Sequence, residues 1–149
     1  MKTNTSQTSN FTRLVTVALA IVFFISCDST QKKQEHDHHD SSISLNDGMK
    51  WKVNEEMKPY LENGAKLIQD FNSNESNDYK ALAENLKEQN DSLIRSCTMK
   101  GKSHEELHKW LHPHLGLVKE LSDAAHSDEA GEVVSRLEES YHTYQMYFE

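Results

Sequence analysis

Cysteine is scarce in this 149-residue chain, two residues in all, so a disulfide framework is excluded. Neither cysteine begins a Cys-x-x-Cys-His motif, which excludes covalently attached haem. Long apolar runs are also missing: the longest, residues 14–25, has twelve members, too few to span a bilayer. Basic residues are outnumbered, with 16 Lys and Arg against 24 Asp and Glu and a formal charge of −8, which argues against a nucleic-acid partner. The alternation that marks β-strands is confined to Met49, Trp51 and Val53.

What is present begins with a processing signal. Lys2 and Arg13 precede the run LVTVALAIVFFI, and Ser26 and Cys27 follow it, the layout of a secretory leader. The residues Phe24-Ile25-Ser26-Cys27 resemble the lipobox of bacterial lipoprotein precursors, with phenylalanine where that family usually has leucine. The resemblance covers the first 27 residues and implies a lipidated, acylated Cys27 as the new N-terminus, anchored in the inner or the outer membrane of the cell envelope. Several acyl chains give the stable attachment that a single chain does not. A plain signal peptide cut nearby is the alternative. With residues 1–26 removed as the signal, Cys97 is the one thiol left free, in an oxidising compartment. The remaining chain carries 14 basic and 24 acidic residues, a charge of −10.

Residues 27–48 read as the lipidated cysteine and a disordered tether, polar and without periodicity. Its twenty residues from Asp28 reach roughly 25 Å as a flexible coil. Within it His36, His38 and His39, interleaved with acids, suit weak capture of divalent ions. Residues 49–149 form one domain, long enough for a modest core.

Four helices are expected in that domain. Asp47-Gly48 marks a turn, and Val53, Met57, Tyr60, Gly64, Ile68 and Phe71 give the first helical stripe, which Pro59 should bend. Tyr79, Leu82, Leu86, Leu93 and Cys97 give the second, interrupted by Gln89 and Asn90, and Gly101 is placed as its C-terminal stop. Ser103-His-Glu-Glu106 reads as a capping box that starts a third helix at His104. Leu107, Leu111, His114, Val118, Leu121 and Ala125 keep its phase across Pro113, so one kinked helix is expected and not two. Ser127 should cap a fourth, with the stripe Ala130, Val134, Leu137, Tyr141, Tyr144 and Phe148. Short connections make the fold all-α, an up-down-up-down four-helix bundle on its tether.

This topology brings the start of the first helix, the second loop and the end of the fourth helix to one end. Cys97, Met99, His104, His108 and Met57 then gather there, whereas His142 and Met146 point away from the core. Thiolate, thioether and imidazole together favour a soft ion, copper as Cu(I) first and zinc as the alternative. The function expected is therefore metal buffering, sensing or delivery by an envelope lipoprotein, without a catalytic step.

Two other readings compete with this one. A structural or interaction lipoprotein without metal would use the same helices, with Trp110 as core or as an anchor for an envelope protein partner. His104-Glu105-Glu106-Leu107-His108 also matches HExxH, the zinc-peptidase pattern in which the glutamate activates water, and His114 lengthens it to HExxHxxLxxH. That longer pattern resembles the metzincin motif with Leu111 in place of its glycine. In a straight helix His114 lies about 15 Å along the axis from His104, too far to share an ion.

Replacing Cys27 with serine tests the anchor. The variant is expected to stay unprocessed or to leave the detergent-soluble membrane fraction, and unchanged mass and membrane attachment would contradict lipidation.

Overall fold

The computed structural model describes residues 42–149. The expected leader, Cys27 and the tract holding His36, His38 and His39 lie outside the described residues. The chain enters through a tight turn in which Asp47 and Gly48 have φ of 51° and 84°. Asn46 and Met49 exchange backbone hydrogen bonds across it at 2.8 and 2.9 Å, the pattern of a type I′ turn, which Asp-Gly favours. Trp51 and Val53 then run beside the chain's last residues. Trp51 N–H donates to the Tyr147 carbonyl at 2.8 Å, Glu149 N–H to the Trp51 carbonyl at 2.9 Å, and Val53 N–H to the Glu149 carbonyl at 3.0 Å. The alternating segment is thus an extended arm laid against the end of the last helix, and no strand occurs among the described residues.

Residues 42–48, expected as the end of the tether, are tied to the helices. Lys109 Nζ donates to the Ser42 carbonyl at 2.9 Å and Ser44 N–H to Glu106 Oε2 at 2.9 Å, while Trp51 Nε1 donates to the Ser44 carbonyl at 2.5 Å. Glu106 makes the difference, because a carboxylate turned inward offers the arm an acceptor that a capping-box glutamate would not.

After a 3-10 turn at Glu55–Met57, α1 (Lys58–Ser73), α2 (Tyr79–Ser96), α3 (Lys102–Asp123) and α4 (Ser127–Tyr147) follow in order. Pro59 does not bend a helix already under way. It sits in the opening turn of α1, where its missing N–H costs nothing. Asp78 caps α2 by accepting from Ala81 N–H at 3.0 Å. The capping box at Ser103 does not form. Gly101, at φ 68° and ψ −151°, a region open essentially to glycine alone, is the N-cap of α3 and not the stop of α2. Its carbonyl accepts from His104 and Glu105 N–H, both at 3.1 Å, so Ser103 lies inside the first turn. At α4 the N-cap is His126 and not Ser127, and the Glu129 carboxylate takes the Ala125 N–H at 3.3 Å. Ala125 lies outside α3 and is exposed.

α3 runs unbroken through Pro113, as the apolar phase requires. Each helix packs on its neighbours in sequence, and α1 also packs on α4, which is the up-down-up-down bundle. Met57, Leu86, Leu93, Leu107, Leu121 and Leu137 are fully buried at its centre, each contributing on the order of 1.5–3 kcal/mol by leaving water. Trp110 belongs to this core and donates Nε1–H to the Ser140 carbonyl at 2.8 Å, while its ring lies 5.0 Å from that of Tyr144. Asn90, one of the polar pair in the α2 stripe, is buried, and its Nδ2 has no partner among the described residues. No helix among the described residues is long and apolar enough to cross a membrane.

The α1–α4 contact is closest at Gly64. A β-carbon there would stand 2.8 Å from Cζ of Tyr141, inside any real carbon contact. Tyr141 is itself buried and packed against the Trp110 and His114 rings of α3, so any retreat is toward the cavity that it lines with Leu61 and Ala65. Gly64→Ala is therefore expected to lower stability by roughly 1–3 kcal/mol through overpacking, read as a fall of several degrees in Tm. An unchanged Tm would show that the Tyr141 ring swings clear.

Candidate metal centre

Asn54 fixes the end of the bundle at which the expected ligands gather. Its Nδ2 donates to the Ser96 carbonyl at 3.0 Å and its Oδ1 accepts from Thr98 N–H at 3.1 Å. Those two bonds bracket Cys97, which leaves the helix at φ −70° and ψ 118° and is half-buried against the core. One side chain on the entry to α1 thus sets where the thiol of the α2–α3 connection stands. Met57 is fully buried at the start of α1, and Met99 is half-buried two residues beyond Cys97.

The opposite wall is the first three turns of α3. His104, His108 and His112 recur every four residues and so share one face. Nε2 of His104 lies 3.0 Å from Nε2 of His108, and Nδ1 of His108 lies 2.9 Å from Nε2 of His112. The rings meet edge to face at 4.4 Å between centroids for the first pair and tilted at 4.9 Å for the second. His104 is half-buried, and the other two are exposed. His108 titrates below the ordinary histidine range, first because partial burial disfavours its cation and then because His104 and His112 flank it. A neutral ring keeps a lone pair for a proton or a metal ion.

A cavity of about 270 Å³ lies between these walls. Met57, Cys97, Met99, His104 and His108 all line it, and His112 joins them. The five residues expected from the sequence therefore border one space, closed by the apolar side chains of Leu107 and Leu111. Among the described residues, no group of three or more His, Cys, Asp or Glu side chains is arranged to hold a metal ion. What the cavity offers is a close imidazole pair with three sulfur atoms on its borders. His142 and Met146 are exposed, as expected from their angle on α4.

The longer peptidase-like pattern does not assemble. His114 is fully buried, with Nδ1 2.9 Å from Ser140 Oγ on α4 and its ring stacked on Trp110 at 4.7 Å. It is thus in the core, while the His104 ring is at the cavity. Glu105 is exposed, within 3.9 Å of Lys102. Glu106 is the buried member of the pair, contacted at 3.0 Å by both Lys102 and Lys109. Burial raises the Glu106 pKa, but the Ser44 N–H and the two ammonium groups outweigh it and bring it down to about 2.

Comparison with protein-family models, curated proteins and solved structures finds no match to this chain. The site therefore rests on its own geometry. Sequence reading overlooked His112 and Asn54. The first was legible as the next step of the four-residue spacing from His104 and His108. The second had no local signal, because its partners lie more than forty positions away.

His114 makes stability depend on pH. Burial lowers its pKa from 6.5 to about 4, and its Nε2 has no partner among the described residues. Between those values the unfolded chain binds the proton and the folded chain does not. Stability is thus fully present above pH 6.5 and falls on acidification toward pH 4, by roughly 3 kcal/mol over the window. Denaturant unfolding from pH 7.5 to 4 is expected to show this loss, and His114→Asn should flatten it. An equal slope in both proteins would assign the pH dependence to other groups.

Proposed function

We propose that this protein is an envelope lipoprotein, anchored through Cys27, whose bundle binds a soft metal ion for buffering, sensing or delivery, with Cu(I) as the ion. The observation that carries this reading is the pairing of His104 and His108 beside sulfur. Their Nε2 atoms stand 3.0 Å apart. Two imidazoles on one tetrahedral ion, each bonded at about 2.0–2.1 Å, stand about 3.3 Å apart, so an ion enters once their hydrogen bond opens, the rings turn their lone pairs toward it and the nitrogens part by a few tenths of an ångström. Cys97 and Met99 border the same cavity, and Met57 forms part of its floor.

Each donor has a distinct role. Cys97, as thiolate, supplies charge and softness, and the thioethers of Met99 and Met57 favour Cu(I) over zinc. The imidazoles of His104 and His108 would complete the ligand set from α3, the three side chains closing on the ion as it binds, since they are not grouped around a common centre without it. An ion held this way links α1, the α2–α3 connection and α3, so binding stabilises the folded state. The histidines of the tail, at positions 36, 38 and 39, would raise the local concentration of metal by loose capture.

Cu(I) titration against a chromophoric competitor tests the site, using the full mature chain with His36, His38 and His39 replaced by alanine. Cys97→Ala is expected to weaken binding at least tenfold and to remove the rise in Tm that copper produces. Equal affinity and equal Tm with copper in the two proteins would make these residues core and loop packing. An interaction lipoprotein would then be the better reading.

A further inference from the structure

We propose that His108 and His112 form a second metal site, open to solvent and suited to a borderline divalent ion of the Ni(II) or Cu(II) class. The row of histidines does not end at the sulfur-lined pair. Nδ1 of His108 and Nε2 of His112 stand 2.9 Å apart, and both side chains are exposed. Two nitrogens in neighbouring positions on a tetragonal ion of the kind Cu(II) and Ni(II) prefer, each at about 2.0–2.1 Å and at right angles, stand about 2.9 Å apart, so the separation already matches and the ion replaces the hydrogen bond once both exposed rings turn their lone pairs outward. Water can fill the remaining positions because the pair faces solvent. The site shares His108 with the soft-ion reading but uses none of its sulfur, so it holds or fails separately.

Sharing His108 couples the two sites. Its Nε2 faces His104 and its Nδ1 faces His112. A neutral imidazole has one N–H and one lone pair, so the ring serves one pair at a time. Filling the inner pair places the lone pair at Nε2 and the proton at Nδ1, which turns the outer ion out. By linkage the outer ion opposes the inner one equally.

The test is Ni(II) titration by calorimetry of the full mature chain with His36, His38 and His39 replaced by alanine. One equivalent is expected, weakened at least tenfold by His112→Gln and unaltered by Cys97→Ala or His104→Gln. His112 is exposed, so the variant's Tm without metal should match that of its parent and exclude unfolding as the cause. An unchanged Ni(II) affinity in His112→Gln would overturn the proposal and leave the row a string of hydrogen bonds. So would an equal loss in His104→Gln, which would put the ion in the inner pair. Where the Cu(I) titration finds inner binding, preloading with Cu(I) should lower Ni(II) affinity at least tenfold, and no change would overturn the shared lone pair. If Cu(I) does not bind, the Ni(II) results still decide the outer site.

Discussion

A buried carboxylate sets the geometry at the end of the bundle where the arm, α3 and the histidine row meet. Glu106 is fully shielded from water and ionised, so its charge has to be met inside the protein. Lys102 and Lys109 meet it from one turn before and one turn after, and the Ser44 N–H meets it from the arm. This requirement acts with the apolar stripe of Leu107, Trp110, Leu111, Val118 and Leu121 to set the rotation of α3 about its axis, because the first turn must bring position 106 inward. It also makes an arm of residues 42–48, expected as the end of the tether, since Lys109 holds the Ser42 carbonyl with the same ammonium.

The histidine row follows from that rotation. With Glu106, Leu107 and Trp110 inward, positions 104, 108 and 112 come to the flank that borders α2. Asn54 does the corresponding work on the other side by pinning the chain on both sides of Cys97. Nitrogen and sulfur donors are thus positioned by two unrelated devices, a charge cluster and an amide clamp. Neither device contributes a side chain to the cavity, and each acts through the backbone of the element that lines it.

Much of this was legible in the sequence because helical periodicity is a strong signal. The stripes of α2 and α4 appear where the apolar spacing put them, and the gathering of five donors at one end followed from topology alone. The differences at helix starts share a cause. Ser103 and Ser127 look like caps by residue type, but a cap is decided by which neighbour meets the open N–H groups. Gly101 could adopt a backbone conformation closed to other residues, and His126 was already extended. Pro59 was misread in the same way, because a proline's effect depends on whether the helix has begun. The inward turn of Glu106 could not be read locally at all, since one of its partners, Ser44, lies 62 residues away.

The contact between Gly64 and Tyr141 has an evolutionary consequence. Most of the core is aliphatic, leucine above all with valine, isoleucine and alanine, and drifts readily because one aliphatic shape replaces another. Here the two positions are locked together. Removing the hydroxyl alone would not admit a side chain at 64, because Cζ of the ring is already within 2.8 Å of where its first carbon would go. Position 64 therefore leaves glycine at least cost where position 141 has already lost its aromatic ring. In diverged copies of this chain the two columns should change as a pair, a durable mark of common descent where the stripes themselves have blurred.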